Sequence, residues 1–262
     1  MVLKSSEFKK IRSIVHDYCG INLHEGKEAL VRTRVMKRIR KLGMRSFSQY
    51  MSYMERDDSG AEFLALVDVL TTNKTSFFRE SQHFDFIRDH IIPQMGKRCM
   101  KWWSAGCSTG QEPVSCAIAL REQSVSKEAV KILGIDLSRE VVHAAKTGVY
   151  GSEKVAELPD RLRDRYFDET KAGGYRVMPD IRSMITYGRL NLKKKWPLNG
   201  PFHVIMCRNV MIYFNRRTQH ELISRFRDIL EPGGYLFLGH SESVSGRNSG
   251  FQNICPAVYQ KQ

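Results

Sequence analysis

The chain has little that would anchor it in a membrane, staple it or hold a metal. Across its 262 residues no apolar run approaches the roughly 20 needed to cross a bilayer. The opening MVLKSSEFKK carries basic residues without an apolar core, which argues against a secretory signal. Six cysteines (Cys19, Cys99, Cys107, Cys116, Cys207, Cys255) form no CxxC pair and have no histidine at metal-ligand spacing. Several lie in apolar runs, where a free thiol is a small hydrophobe. The eight histidines make no HExxH cluster, so no metal is expected. A soluble protein of the reducing cytoplasm is the expectation, with nothing demanding more than a monomer. Acidic residues are also scarce: 28 Asp and Glu face 42 Lys and Arg, a formal net charge of +14. Such an excess calls for a polyanionic partner, whether nucleic acid, acidic membrane or acidic protein surface.

What is present reads as two patterns in succession. Apolar residues recur at helical spacing in 6–18 (Phe8, Ile11, Ile14, Val15, Tyr18) and 27–42 (Val31, Val35, Ile39, Leu42). Gly20 and Gly43 stand where C-terminal caps belong, and further helices are expected over 46–56 and 60–70. The spacing then predicts a linker helix from Glu80 to Ile92, stopping at Pro93. From about residue 98 short apolar runs alternate with helices. Strands are expected at 99–104, 130–135, 184–187, 202–207 and 235–239, with helices over 112–123, 138–146 and 216–230. This alternation predicts a parallel sheet covered on both faces, and Ala257 to Gln260 could add an antiparallel edge strand. Residues 150–182, with a Gly173-Gly174 turn, interrupt the rhythm as a small inserted hairpin. The domains expected are therefore 1–75 (all-helical), 76–97 (linker helix) and 98–262 (α/β, with the insertion near 150–182).

The first strand runs into Trp103-Ser-Ala-Gly106-Cys-Ser-Thr-Gly110-Gln-Glu112-Pro113, a glycine-bearing strand-to-helix turn. Such a turn lets a ligand approach backbone at the carboxyl edge of a sheet, although glycine turns are also common punctuation. If Gly106 opened a GxGxxG, the other two glycines would fall where Ser108 and Gln111 stand. The second glycine of that motif exists to admit a pyrophosphate, so its absence suits a ligand without phosphates. No GxxxxGK[ST] string is present either. The next strand ends in Asp136, placed either to accept a ribose diol or to cap the helix that starts near Ser138. A glycine turn and a strand-end acid without a phosphate site suggest adenosine without phosphates, of which S-adenosylmethionine is the common cofactor.

Four strings make the reading specific: Leu70-Thr-Thr-Asn73-Lys-Thr75-Ser-Phe77-Phe78-Arg79-Glu80, the glycine turn, Cys207-Arg-Asn209-Val-Met-Ile-Tyr213-Phe214, and Glu231-Pro-Gly-Gly-Tyr-Leu-Phe-Leu-Gly-His240-Ser-Glu242-Ser. In content and order they resemble the chemotaxis receptor methyltransferases of the CheR family over nearly the whole chain. The resemblance implies a Rossmann-like S-adenosylmethionine methyltransferase domain, α/β with a small inserted β-subdomain, preceded by an all-α N-terminal domain. It also implies an activity: transfer of methyl to glutamate carboxylates of methyl-accepting chemotaxis receptors, leaving S-adenosylhomocysteine. Carried over residue by residue, the cofactor contacts are Asn73, Thr75, Arg79, Gly106, Glu112, Asp136, Asn191, Leu192, Asn209 and Val210. Arg79 and Tyr213 match the residues at the reacting groups. Gln111, Val114 and His203 depart from frequent Glu, Tyr and Asp, none of them a key contact. The short insertion favours direct recognition of the methylation region over capture of a receptor's C-terminal tether peptide.

Methyl transfer from a sulfonium to an ionised carboxylate needs no general base, since glutamate titrates near about 4.3. Cation and anion become two neutral products, so a site that excludes water gains, and Phe77, Phe78, Tyr213 and Phe214 suit dry walls. A bidentate clamp by Arg79 would blunt the nucleophile; Arg79 is therefore expected to position and Tyr213 to donate one hydrogen bond. Ordinary structural readings are an ion pair of Arg79 with Glu80 or Asp85 and a core ring for Tyr213. Between Lys27 and Arg45 lie eight basic residues and one acid. Arg34, Lys37, Arg38, Lys41 and Arg45 share one helical face, read either as a solvated face or as a dock for the Glu-rich receptor bundle. Two rival functions stand beside the leading one. A nucleic-acid methyltransferase would need a flipped-base pocket, and no Asn/Asp-Pro-Pro-Tyr-like string is present. A silent cofactor-binding adaptor is disfavoured by intact Arg79 and Tyr213. A hydrolase reading of Gly239-His-Ser241-Glu-Ser243 fails for want of a glycine in fifth place.

Overall fold

Helical periodicity in the first 70 positions produces four helices in a computed structural model, which describes residues 1–71, 73–96, 98–244 and 249–262. Helix α1 (Ser5–Cys19) buries Phe8, Ile11, Val15 and Cys19 and stops at Gly20, whose φ of 81° few other residues tolerate. Helix α2 (Glu28–Lys41) buries Val31, Val35 and Ile39, one residue per turn on a single stripe. Helix α3 (Phe47–Glu55) is opened by Ser46, whose side chain accepts the Gln49 N–H. Helix α4 (Ala61–Leu70) follows and packs on α2. These helices and the short segment Tyr213–Thr218 form one compact unit, Met1–Thr72 with 213–218. Within it Ile21 bridges Phe214, and the Asn22 N–H donates to the Tyr213 carbonyl at 2.8 Å.

The second unit comprises Asn73–Ile212 and Gln219–Gln262. Much of the segment expected as a linker belongs to its hydrophobic core: Phe77, Phe84, Phe86, Ile87, Ile91 and Met95 are all buried there. Lys97 of that segment lies outside the described residues. Helix α5 (Gln82–Phe86) continues through a π-helical turn (Ile87–Ile91) into a 3₁₀ turn (Ile92–Gln94) that contains Pro93. The alternation follows: β1 (Met100–Ala105), α6 (Gln111–Glu122), β2 (Val130–Asp136), α7 (Arg139–Thr147), β3 (Val149–Gly151), α8 (Ser152–Val155), α9 (Asp160–Tyr166), β4 (Phe167–Glu169) and β5 (Gly174–Val177). Then come α10 (Pro179–Arg182), β6 (Ile185–Arg189), β7 (Phe202–Cys207), a 3₁₀ turn (Met211–Tyr213), α11 (Arg216–Ile229), β8 (Leu230–Leu238), β9 (Phe251–Cys255) and β10 (Val258–Lys261).

The main sheet has the order β6-β2-β1-β7-β8-β10-β9. Strands β6, β2, β1, β7 and β8 are mutually parallel, as the α/β reading expects. Strand β7 is buried at every position, as an interior parallel strand should be. The C-terminal run is antiparallel, as expected, but it is not the edge: β10 lies between β8 and β9. The insertion is larger than a hairpin, because β3 joins β4 and β5 in a separate antiparallel sheet of order β3-β5-β4. All six cysteines are free thiols. No helix among the described residues is long and apolar enough to cross a membrane.

Candidate functional site

The strand order reverses at β1: β2 lies on one side of it and β7 on the other. In open α/β sheets ligands bind outside the carboxyl end of such a switch point, which here lies between the loops after β1 and β7. The two loops touch at one point. Gly106 has φ +103°, and a Cβ there would stand 2.3 Å from Val210 Cγ2, so only glycine fits. The turn is fastened to β2, with Gly106 N–H and Cys107 N–H both donating to the Ile135 carbonyl, at 2.8 and 2.9 Å. Gly110 (φ +94°) closes it, and Tyr150 Oη donates to the Thr109 carbonyl at 2.9 Å.

Asp136 ends β2 beside this turn. Its carboxylate accepts the N–H of Ser108 at 2.9 Å and of Ser138 at 3.0 Å. The cap of α7 is Ser138, whose hydroxyl accepts the Val141 N–H, so of the two sequence readings of Asp136 the helix-cap role falls to its neighbour. Ser108 Oγ also donates to the Asn73 carbonyl at 3.2 Å, which brings the 73–80 segment to the turn. Leu190 N–H donates to the Asp136 carbonyl at 3.0 Å, placing Asn191 and Leu192 next along the same edge. The Leu192 carbonyl is occupied from behind by Trp196 Nε1 (3.1 Å) and Arg225 Nη1 (2.6 Å). The Arg225 guanidinium lies 3.7 Å from the Trp196 ring centre, a cation–π contact that stiffens this loop.

Glu112, in the first turn of α6, accepts from Ser104 Oγ at 2.6 Å and from Arg208 Nη1 at 3.0 Å. Burial pushes its carboxyl above the ordinary range, and the Arg208 charge and the Ser104 hydrogen bond oppose that rise. Arg208 follows β7 directly and its side chain is 2% exposed. It bonds Glu80 Oε2 at 3.1 Å and donates to the Arg79 carbonyl. Glu80 is held below its usual pKa: burial raises it, but Arg208, Asn209 Nδ2 and the His240 N–H outweigh that. Asn209 adopts φ 58° and donates its N–H to Glu242 Oε2 at 2.7 Å. Glu242 also accepts from Gly239 (2.6 Å) and Ile212 (3.1 Å), tying the end of β8 to the loop after β7.

Arg79 lies between two non-glycine residues with positive φ, Phe78 (50°) and Glu80 (55°). Its Nη1 donates to the Lys74 carbonyl at 3.0 Å, so the pairing with Glu80 or Asp85 open to it in the sequence is not made. Thr75 is half-buried on the same segment, and Phe77 packs edge-on against Tyr150 and Phe167 at 5.0 and 5.4 Å. Tyr213 ends the 3₁₀ turn that follows Val210 and counts with the smaller unit. The main sheet's edge thus gathers Asn73, Gly106, Glu112, Asp136, Asn191, Leu192, Asn209 and Val210, with Arg79 tied in through Arg208. Sequence reasoning missed Arg208, Glu80, Ser108 and Glu242. The available signal for Arg208 was a charge placed directly after a run, Val204–Cys207, that is wholly apolar.

In the smaller unit the five basic residues proposed for docking divide. Arg34 Nη1 donates to the Leu70 and Thr71 carbonyls at 2.6 and 3.1 Å. Arg38 grips the buried Glu62 with two bonds of 2.7 and 2.5 Å, and Tyr50 Oη donates to the same carboxylate at 2.8 Å. Lys37, Lys41 and Arg45 are exposed.

Comparison with known proteins agrees with this division of the chain. Residues 6–71 match the family described as CheR methyltransferase, all-alpha domain, and residues 73–259 match CheR methyltransferase, SAM binding domain. The chain is 34% identical to a chemotaxis protein methyltransferase of Borreliella burgdorferi, over 99% of this chain and 95% of that one. It is 36% identical to the chemotaxis protein methyltransferase of Escherichia coli K12, over 94% of this chain and 87% of that one. A probable chemotaxis protein methyltransferase of Rhizobium etli is also 36% identical, over 94% and 96%.

Proposed function

The chain belongs to the CheR methyltransferase family, and from that premise we propose its acceptor: glutamate side chains of methyl-accepting chemotaxis receptors. The protein is an S-adenosylmethionine-dependent methyltransferase of chemotaxis, and methyl esterification of receptor glutamates would serve sensory adaptation. The observation that carries the reading is the sheet edge itself, where carboxylates from α6 and β2 flank a glycine turn that has no phosphate-binding pattern.

The donor set suits S-adenosylmethionine. Gly106, where no Cβ fits, lets Val210 close on the glycine turn and so sets the two loops that would hold the ligand side by side. Asp136 is the acceptor for a ribose diol, Glu112 for an ammonium group, and Asn191, Leu192, Asn209 and Val210 supply amide and apolar contacts for an adenine. Asn73 and Thr75 complete the set from the 73–80 segment. When bound, the cofactor supplies an electrophilic methyl on a sulfonium. The chain's part is to align and to dry. Buried Phe77 and half-buried Phe78 give the segment beside Arg79 an apolar flank, which matters because opposite charges cancel in the transition state. Arg79 orients one acceptor oxygen or the cofactor's carboxylate, and Tyr213 donates to the other acceptor oxygen, a role supported by its place in the string 207–214. No base is required, since the acceptor is already ionised. The exposed Lys37, Lys41 and Arg45 of the α2 region face an acidic helical partner, with Arg34 and Arg38 adding field from partly buried positions.

Transfer of labelled methyl to receptor-bearing membranes, followed by mild alkali, tests the proposal. Alkali-released methanol from the receptor is the expected result. Cofactor binding without label on any receptor would leave the silent-adaptor reading in its place.

A further inference from the structure

We propose that Arg208 is the positioning residue of this site: one buried guanidinium that fixes the turn carrying Arg79 and holds the Glu112 carboxylate in register. The inference rests on the roles given above to Arg79 and Glu112. Its basis is geometric. Nη1 bonds Glu112 Oε2 at 3.0 Å, while Nη2 bonds Glu80 Oε2 at 3.1 Å and the Arg79 carbonyl. Three segments distant in sequence (73–80, the start of α6 and the end of β7) therefore meet on one side chain.

The Arg79 turn needs such a hold. Phe78 and Glu80 both occupy the left-handed region, at φ 50° and 55°, where a side chain is strained and persists only if its surroundings over-determine it. The other restraints on it are local or reach a single partner: Phe78 N–H to Ser115 Oγ at 2.9 Å, Arg79 Nη1 to the Lys74 carbonyl at 3.0 Å, His83 N–H to the Glu80 carbonyl at 3.1 Å, Asn209 Nδ2 and His240 N–H to Glu80 Oε1 at 3.2 and 3.4 Å, and the Phe78 ring against Phe84 at 5.0 Å. Only Arg208 also reaches Glu112. A lysine could match its charge but not its span, because an ammonium is a point donor and the guanidinium a planar fork.

Electrostatics point the same way. Glu112 faces Arg208, Ser104 and Glu80, with the buried thiols of Cys107, Cys116 and Cys207 around it. Among the groups facing it, Arg208 alone is a cation. Glu80, His83 and His240 do bring possible metal-ligand atoms within 4.8 Å of one another. Arg208 already bonds Glu80, however, and a metal ion there would meet the guanidinium charge at contact range.

The test compares Arg208→Lys with Arg208→Gln. Cofactor affinity is read by calorimetry between about pH 5.5 and 7, below the usual α-amino pKa, so that the cofactor's ammonium stays protonated. Arg208→Lys should keep cofactor affinity within about threefold, yet lose at least about tenfold in kcat for methyl transfer. Arg208→Gln should lose both, and its affinity should fall as pH falls, by up to about tenfold per unit, the limit for one linked proton. Wild type should change far less over that range. Affinity in Arg208→Gln that is as flat with pH as in wild type, or full turnover in either variant, overturns the proposal. Should Arg208→Gln fail to fold, Glu112→Gln and the double variant Glu112→Gln/Arg208→Gln replace it. The double variant should bind cofactor as Glu112→Gln does but transfer methyl at least about tenfold more slowly, and equal turnover overturns the proposal. Failure of the parent reading looks different: wild type itself would not bind the cofactor.

Discussion

At the scale of single residues, Gly106 and His83 make the sharpest predictions. Gly106→Ala would place a methyl 2.3 Å from Val210 Cγ2 at a φ of +103°. Strain of about 1–3 kcal/mol at the cofactor edge should cost roughly tenfold or more in cofactor affinity by calorimetry. Unchanged affinity would mean that the loops after β1 and β7 need not meet there. His83 is 1% exposed, and burial, aided by the Arg208 charge, pushes its pKa down to about 4 from 6.5. The folded state thus prefers the neutral ring. Its contribution is complete above pH 6.5 and is lost as pH falls toward 4, on the order of 3 kcal/mol in all. Thermal midpoints measured from about pH 7 down to 4.5 should decline, and His83→Leu should flatten that decline. The strings around Gly106 and Arg79 were legible in the sequence because their spacing is local. The bond from Arg208 to Glu80 spans 128 positions, and no periodicity announces it.

At the scale of elements, α2 has two separable jobs. Its buried stripe followed from apolar spacing. The division of its basic residues did not, because Arg38 and Lys37 are equally polar in sequence. Only the arrival of Glu62 and Tyr50 from other helices makes Arg38 structural. Arg38→Gln leaves Glu62, 4% exposed, with Tyr50 as its side-chain partner, and should cost about 3 kcal/mol in thermal unfolding. Lys37→Glu with Lys41→Glu should alter stability by less than about 0.5 kcal/mol each. The same pair should slow methyl transfer to an acidic acceptor. Equal stability losses in the two sets would remove the distinction, and unimpaired transfer would remove the docking role. Helices and parallel strands were legible because periods of 3.6 and short apolar runs differ. The place of β9 was not: Phe251–Cys255 is mostly exposed on the sheet's edge and lacks a strong alternation, so β10 was expected in its place.

For the molecule as a whole, the net charge of +14 becomes a kinetic prediction. Steering toward an acidic partner is screened over about 8–10 Å at physiological salt. The kcat/KM for receptor membranes should therefore fall steeply between about 0.05 and 0.3 M salt, while cofactor affinity changes little. A rate indifferent to salt would exclude electrostatic docking. The sequence by itself determined the succession of an all-helical part and an α/β part, and the family. Those follow from local spacing and from strings short enough to be read in order. Tertiary structure alone decided that Ser138, rather than Asp136, caps α7, that Arg38 is held by Glu62, and that Arg208 joins Glu112 to the turn of Arg79. Each is a choice among polar partners that are alike in sequence, and it is made by which side chains are buried together and must satisfy one another.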